Sequence, residues 1–240
     1  MSSITWKISI ITTTPEIFPG PLQYSNIGKS LADGKWSLEI IPLEKRKNNK
    51  KVKIDGSPAG GGPGMIMKAD IVLPIINNMR ESGDTRPLIV PAARGIKYDQ
   101  KITKHLIRKD GLIFLCGRFE GIDQRIIEST GALELSIGDY ILTNGDIAAI
   151  NIIDSCVRLL DGVLSTQAST ENESYEDGLL EYPQYTLPRD YGGLKIPDVL
   201  LSGDHGAISK WRYNQSLLTT EKNRPDLYRK YKKKTRDSDS

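Results

Sequence analysis

Short apolar segments alternate with amphipathic ones over the first two-thirds of the chain. The apolar segments are bounded by turn residues, which is typical of buried parallel strands. The predicted strands are Trp6–Thr12, Ser37–Ile41, Leu88–Ala92 and Leu112–Cys116. The predicted helices are Met65–Arg80, Gln100–Arg108, Ile122–Thr130 and Asp146–Leu160. This alternation indicates an α/β domain with a mostly parallel sheet.

The pattern changes in the last third of the chain. Ser165–Asp177 is polar and poorly patterned, which is typical of a mobile linker. Beyond it, Ile208–Thr220 and Asp226–Lys234 have helical patterns. We therefore expect an α/β domain over residues 1–161, a flexible linker over 162–177, and a small α-helical domain with a basic tail over 178–240.

The net charge of +3 conceals an uneven distribution. Residues 44–53 carry a net charge of +5 and residues 221–240 a net charge of +4, so the other 210 residues sum to −6. Two basic segments on a mildly acidic body favour contact with a polyanion at defined places. A solvated loop and a frayed tail would give the same charge runs, and charge alone leaves both interpretations open.

Several classes of protein are disfavoured by the sequence. No apolar run approaches the roughly 18 residues that cross a bilayer, and the N-terminus does not have the pattern of a signal peptide. Cys116 and Cys156 lie in apolar sequence, which favours buried thiols in a reducing compartment, and we expect a cytoplasmic protein. With two histidines and two separated cysteines, we predict no transition-metal site.

Two glycine-containing segments carry candidate chemistry. The first, Leu115–Asp123, follows a predicted buried strand, and ligands of open parallel sheets bind at such carboxyl ends. There Glu120 is suited to accept hydrogen bonds from ribose hydroxyls. The second, Ser136–Gly145, combines exposed backbone with Ile137 and Leu142, which suits the edge and face of an adenine. A tight strand-to-helix turn and an ordinary hairpin with a helix cap remain the simpler alternatives.

A third candidate is the pair Arg158 and Glu173, near opposite ends of the predicted linker. Arg158 follows an otherwise apolar helical turn, which favours a specific partner for its guanidinium. A structural ion pair is the alternative interpretation.

Six segments of the sequence, taken together in their order along the chain, indicate a family more specifically than any one of them does. The sequence resembles the bacterial tRNA (guanine-N1)-methyltransferases of the knotted SPOUT class across roughly residues 7–228. The matching segments are Ile10–Leu22 (IITTTPEIFPGPL), Gly60–Met67 (GGGPGMIM), Cys116–Arg125 (CGRFEGIDQR), Ser136–Gly145 (SIGDYILTNG), Gly178–Pro183 (GLLEYP) and Val199–Gln215 (VLLSGDHGAISKWRYNQ).

The resemblance implies a fold, a reaction and a set of binding residues. It implies a homodimer with an active site shared between subunits, in which residues 1–161 form a trefoil-knotted domain that binds S-adenosylmethionine and residues 178–240 form a helical domain that binds tRNA. It also implies methylation of N1 of the guanosine immediately 3′ of the anticodon (position 37) in tRNA. By matched position, the residues expected to bind S-adenosylmethionine are Val90, Pro91, Ala93, Gly117, Glu120, Ser136, Ile137, Gly138, Asp139, Tyr140, Ile141, Leu142 and Gly145. Those expected to contact RNA are Gly60, Gly64 and Arg118.

The chemistry of guanine restricts the catalytic groups. If the pKa of guanine N1 is about 9 and that of a free Glu about 4.3, proton transfer between them is uphill by about 6–7 kcal/mol. A carboxylate therefore does not suffice alone, and positive charge near the guanine O6 must stabilise the developing anion. We predict Glu173 as the base and Arg158 as the stabilising cation, and leave open a contribution from Mg²⁺.

The chain also departs from the family pattern. Glu173 stands where the family usually has Asp, Ala92-Ala93 where it has Ser-Pro, and Asn144 where it has Gly. Further departures are Ala59 for an aromatic residue, Ala148 for a proline and Leu187 for a frequent Arg. The alternative function is a non-catalytic or differently specific RNA-binding protein of the same fold.

Overall fold

The computed structural model describes residues 5–43, 46–47, 50–118, 120–164 and 173–238. The chain divides into two compact units, residues 1–164 and 165–240, and each is described by itself. The predicted domain limits at 161 and 178 stay predictions. Within the described ranges, no helix combines the length and the apolar character that crossing a membrane requires.

The first unit is built around a five-stranded sheet with strand order β2-β1-β8-β7-β9, in which every neighbouring pair is parallel. Its strands are β1 (Trp6–Thr12), β2 (Trp36–Pro42), β7 (Leu88–Lys97), β8 (Gly111–Leu115) and β9 (Leu133–Ser136). Two-residue strands form the antiparallel pairs β3 (Arg46–Lys47) with β4 (Lys50–Lys51) and β5 (Asp55–Gly56) with β6 (Ile66–Met67). The predicted α/β class with a mostly parallel sheet is confirmed, whereas the trefoil knot stays a prediction.

Five helices and two short 3-10 turns accompany this sheet in the described part of the first unit. They are α1 (Ser25–Ala32), α2 (Ala69–Glu81), α3 (Gln100–Leu106), α4 (Gln124–Thr130) and α5 (Asp146–Val157), with 3-10 turns at Pro15–Ile17 and Gly20–Gln23. The predicted helix Met65–Arg80 is wrong over its first four residues, because Ile66–Met67 pairs as a strand before the helix begins. The strand predicted over Leu88–Ala92 continues to Lys97 through an irregular register between Pro91 and Ile96.

Apolar layers cover both faces of the sheet. All five residues of β8 are buried, as expected for a central parallel strand. One layer packs α5 and α1 against the sheet and includes Trp36, Phe114 and Ile153. The other packs α2 and α4 against the opposite face and includes Val72 and Ile126. The loops at the carboxyl edge of the sheet are therefore held by a core that is closed on both sides.

Within residues 173–238, the described part of the second unit, two long helices make up most of the regular structure. These are α6 (His205–Asn223) and α7 (Pro225–Ser238), preceded by the hairpin of β10 (Asp190–Tyr191) with β11 (Leu194–Lys195) and by a 3-10 turn at Asp198–Leu201. The Asp204 side chain accepts a hydrogen bond from the amide of Ala207, so α6 begins three residues before the predicted Ile208. Half of the predicted linker 162–177, namely residues 165–172, lies outside the described residues.

Candidate functional site

A cavity of about 380 Å³ lies at the carboxyl edge of the sheet in the first unit. Its walls come from residues 90–94 of β7, from the loop that follows β8, from residues 134–138 in and after β9, and from residues 140–145 together with Ala148. Three neighbouring parallel strands thus deliver their loops to one place, which is where open α/β sheets bind ligands. The volume falls within the roughly 300–1,000 Å³ of typical small-molecule sites.

Two turns at the base of this cavity, one containing Gly117 and the other Gly145, are joined by a backbone hydrogen bond. The amide of Gly145 donates to the carbonyl of Gly117 at 2.8 Å, and Arg118 and Asn144 form an isolated antiparallel bridge beside it. A Cβ at Gly145 would lie 3.1 Å from the amide nitrogen of Gly117 and 3.3 Å from Cα of Cys116. The close approach of the two backbones therefore favours glycine at position 145, because a side chain there would need these atoms to move by a few tenths of an ångström.

A tyrosine ring closes one side of the cavity against backbone. A Cβ at Gly138 would come within 2.4 Å of the Tyr140 ring, so the ring rests directly on this glycine. The Ser136 hydroxyl donates to the Gly138 carbonyl at 3.0 Å and fixes the turn that follows β9. The remaining wall is apolar and accessible, since Ile141 and Leu142 are 82% and 37% exposed.

The glycine-rich loop before α2 contains two predicted RNA contacts, Gly60 and Gly64. Only Gly64 lies at the cavity. Gly64 lies against the Glu120 side chain, which lines the cavity, and the Glu120 amide donates to the Met65 carbonyl at 3.0 Å. A Cβ at Gly60 would meet no atom within 4 Å. Gly64 is thus tied to the cavity loop, while Gly60 lies in open space.

The buried carboxylate of Asp146 links the base of the cavity to the sheet. Asp146, the first residue of α5, is 2% exposed and accepts hydrogen bonds from the hydroxyls of Thr12 and Thr14, both at 2.7 Å. Burial and the neighbouring Asp146 carboxylate raise the pKa of the Cys116 thiol well above its usual value. Asp146 connects the end of β1 to the turn containing Gly145, and it fixes that turn relative to the sheet.

The cavity also contains residues that the sequence analysis did not select. Arg94 donates to Glu134 at 2.9 Å and to Gln124 at 2.7 Å, and both Arg94 and Glu134 line the cavity. The extension of β7 past Ala92 brings Arg94 to this edge, and the apolar pattern used for prediction ends before it. No signal in the hydrophobic pattern identifies these polar residues.

The structure brings most of the predicted donor-binding residues to one place. The predicted residues that line the cavity are Val90, Pro91, Ala93, Gly117, Glu120, Ser136, Ile137, Gly138, Tyr140, Ile141, Leu142 and Gly145, with Arg118 beside them. Asp139 is not among the lining residues. Arg158 directly follows α5 in the first unit, and Glu173 lies in the second unit.

In the part of the chain that the structure describes, no three His, Cys, Asp or Glu side chains are grouped so as to hold a metal ion.

Comparison with known proteins gives a consistent family over almost the whole chain. The family model described as tRNA (Guanine-1)-methyltransferase TrmD matches residues 6–230. A protein of Agrobacterium fabrum is 45% identical over 233 residues, covering 97% of this chain and 100% of its own length. One of a Ruegeria species is 47% identical over 227 residues (94% and 93%), and one of Brucella ovis is 46% identical over 228 residues (95% and 93%). All three relatives are named tRNA (guanine-N(1)-)-methyltransferase.

Proposed function

Because the chain belongs to the tRNA (guanine-1)-methyltransferase TrmD family, we propose that it transfers a methyl group from S-adenosylmethionine to N1 of the guanosine immediately 3′ of the anticodon in tRNA. The observation that supports this proposal is the cavity built on the hydrogen-bonded turns of Gly117 and Gly145. It supports a donor site because it combines exposed backbone groups, an apolar wall and the carboxylates of Glu120 and Glu134.

The lining of the cavity fits the parts of the proposed donor. Ile137 and Leu142 supply apolar surface for the adenine, and Glu120 supplies acceptors for the ribose hydroxyls. The backbone of Gly138, held in place by Ser136, presents polar groups beside that surface. When bound, S-adenosylmethionine supplies a methyl group on a positively charged sulfonium, so the protein has only to position it.

The acceptor guanine needs two further groups. Glu173 takes the proton from N1, and the Arg158 guanidinium stabilises the negative charge that develops on O6. Glu173 is one methylene longer than the Asp usual in the family, which moves the carboxylate further from its backbone. Among the described residues, no three His, Cys, Asp or Glu side chains are grouped so as to hold Mg²⁺.

The position of Arg158 supports an active site shared between two copies. Helix α5 separates Gly145 from Arg158 by thirteen residues, which is about 20 Å along the helix axis at about 1.5 Å per residue. An arginine side chain does not span that distance back to its own cavity. The proposed function therefore includes a homodimer in which Arg158 of one copy serves the cavity of the other, and we place this dimer in the cytoplasm with its tRNA substrate.

The substrate is tested with tRNA transcripts that carry guanosine or adenosine beside the anticodon. We expect methyl transfer to the first transcript only, and digestion to nucleosides should identify N1-methylguanosine by mass spectrometry. Equal labelling of both transcripts would contradict the proposed position. A protein that binds the transcript but not S-adenosylmethionine would instead be a non-catalytic RNA-binding member of the fold.

The base is tested with Glu173→Ala, for which we expect the single-turnover rate to fall by about 10²- to 10⁴-fold. Glu173→Asp should retain most of the activity because the carboxylate is kept. Glu181→Ala, an exposed carboxylate of the same unit, is the matched control. An unchanged rate in Glu173→Ala would remove the base assignment.

The shared site is tested by mixing two inactive variants. Gly138→Val displaces the Tyr140 ring and blocks the cavity, while Arg158→Ala removes the cation. If each site uses residues of both copies, random exchange of subunits should restore about one-quarter of the activity, since half of the dimers regain one intact site. No recovery after verified subunit exchange would show that both residues act within one chain.

A further inference from the structure

The second unit contains a concave surface that the proposed methyl transfer does not use. We call it the aromatic cleft and define it by Tyr182, Tyr185, Trp211 and Arg212, which line a cavity of about 300 Å³. Its apolar base includes Leu200 and other aliphatic side chains from the segments that precede α6. The cleft lies wholly within the second unit.

The rings of the cleft are arranged with a guanidinium beside them. The Tyr185 and Trp211 ring centroids are 6.3 Å apart and the ring planes are tilted by 59°. This spacing is a direct contact between the rings, so no flat ligand fits between them in a parallel sandwich. The Arg212 guanidinium carbon lies 4.9 Å from the centroid of the Tyr182 ring, within the range of a cation–π contact. A flat ligand would therefore stack on the open face of one ring, with a positive charge nearby.

The exposed fractions show that the cleft offers accessible apolar surface. Tyr185 is 49% exposed, Leu187 beside it is 72% exposed, and Leu201 is 41% exposed. Rings and aliphatic groups that remain accessible in a concave, cation-bordered surface are typical of a binding site for an unstacked base.

The net charge of the two helices of this unit favours a polyanionic occupant. Residues 205–238, which contain α6 and α7, carry ten Lys or Arg and three Asp or Glu. Such an excess of positive charge attracts the phosphate backbone of a nucleic acid. Aromatic faces and arginine planes bind bases that are not stacked in a duplex, because a paired stem hides its base faces. The two features together favour a single-stranded segment of RNA.

We propose that the aromatic cleft binds one unstacked nucleotide of the tRNA substrate, with its base stacked on Trp211 and its phosphate paired with Arg212. This inference rests on the proposed function, because tRNA is the RNA that the enzyme meets. The cleft then recognises the loop of the substrate, apart from the cavity that holds the methyl donor.

The test compares two RNA probes in the full-length protein: an anticodon stem-loop and a blunt duplex of equal length. Trp211→Ala should weaken binding of the stem-loop by about 5- to 140-fold, the range expected for loss of one base–aromatic stack. Duplex binding and S-adenosylmethionine binding should not change. Tyr191→Ala, whose ring is 76% exposed on the hairpin outside the cleft, is the matched control and should behave as the wild type.

Intrinsic fluorescence gives an independent measurement. The chain has three tryptophans, of which Trp6 and Trp36 are 5% and 1% exposed in the first unit. Quenching by a stacked base should therefore come from Trp211, should occur with the stem-loop but not with the duplex, and should disappear in Trp211→Phe. Trp211→Phe should also keep most of the affinity, since it retains an aromatic face. Tyr185→Leu, at a half-exposed position where folding is spared, should lower stem-loop affinity selectively.

Two results would overturn the inference. One is wild-type stem-loop affinity in both Trp211→Ala and Tyr185→Leu; the other is an equal loss for stem-loop and duplex, which would indicate contact with the phosphate backbone alone. These outcomes are separate from a failure of the proposed function, which would appear as a wild-type protein that does not methylate the guanosine transcript.

Discussion

The cavity of the first unit, which we propose as the donor site and call the donor cavity, and the aromatic cleft of the second unit are built in opposite ways. The cavity depends on backbone: Gly145 and Gly117 are joined by a hydrogen bond, and a single added Cβ would push them apart. The cleft depends on side chains that stay accessible, such as Tyr185 and Arg212. A small donor is suited to a preorganised backbone site, whereas a large, deformable RNA is suited to side chains that adapt to it.

The two units also differ in how much of their structure is buried in a core. In the first unit, apolar layers close both faces of the sheet. In the second, only Leu179, Ile196, Ser216 and Thr220 are buried among residues 173–238. Since local stability follows buried apolar contact, we expect the second unit to open at lower free energy than the first. The comparison therefore predicts that substitutions in the two units separate donor binding from RNA binding.

Of the effects that bear on this comparison, the largest effect on donor binding is expected from Gly145→Val in the donor cavity. The added side chain would separate the two glycine turns and break the bond from Gly145 to Gly117. Donor binding would then have to restore the wild-type turns against overpacking of about 1–3 kcal/mol, so S-adenosylmethionine affinity should fall by up to about 100-fold. Isothermal titration calorimetry measures this loss.

The control for that substitution is Gly56→Val. A Cβ at Gly56 would lie 3.8 Å from the Lys68 side chain, an ordinary contact, and Gly56 is outside the cavity. It should bind the donor normally, and stem-loop binding should be retained in both variants. Donor affinity that survives in Gly145→Val would show that the cavity is more deformable than its packing indicates.

An effect of intermediate size is expected from alkaline pH. Burial raises the pKa of Cys156 to about 12, and the pKa of Cys116 is raised in the same direction, whereas the unfolded thiols have pKa values of about 8.5. The folded first unit therefore favours the protonated thiols. Their contribution to stability is complete below about pH 8.5 and declines as the pH rises towards the folded values. For Cys156 alone the loss is about 2 kcal/mol at pH 10.

The thiol contribution to this pH effect should be confined to the first unit, because both cysteines of the chain lie there. Urea unfolding at pH 8 and pH 10, followed at Trp6 and Trp36, measures the change. Cys156→Ala should flatten the pH dependence even if the removed sulfur lowers stability at both pH values. A slope that is the same in Cys156→Ala and the wild type would exclude this thiol as its source.

The fold of the first unit was predictable where the hydrophobic pattern was strong. β1 is confirmed at its predicted limits, and the buried β8 and the long α5 are confirmed to within a few residues. Their limits were predictable because each apolar run can be buried against only one layer of the fold. The strand β9 was missed because its four residues, two of them only partly buried, give too short a pattern. The start of α2 was misplaced because the pairing of Ile66–Met67 with β5 is not visible in a local window.

The sequence predicted the glycines of the candidate site better than it predicted the polar side chains. Glycines such as Gly117 and Gly145 mark places where backbones approach, and the motif order identified them. Arg94 and Glu134 were missed because their role depends on how far β7 extends beyond its apolar part. The aromatic cleft was missed for a related reason: Tyr185 and Trp211 are 26 positions apart, and their ring contact exists only in the folded unit.

The smallest expected effect tests the weaker core of the second unit. Thr220 is fully buried, and its hydroxyl donates to the Ser216 carbonyl at 2.6 Å and accepts from the Leu180 amide at 2.8 Å. Thr220→Val keeps the shape but leaves the Leu180 amide without this acceptor, which costs about 1 kcal/mol or slightly more. Urea unfolding followed at Trp211 should shift to lower urea while the transition of Trp6 and Trp36 stays in place. Thr219→Val, the neighbouring position on α6, should shift neither transition. If Thr220→Val moved both transitions together, the two units would unfold as one, and the contrast between them would not extend to their stability.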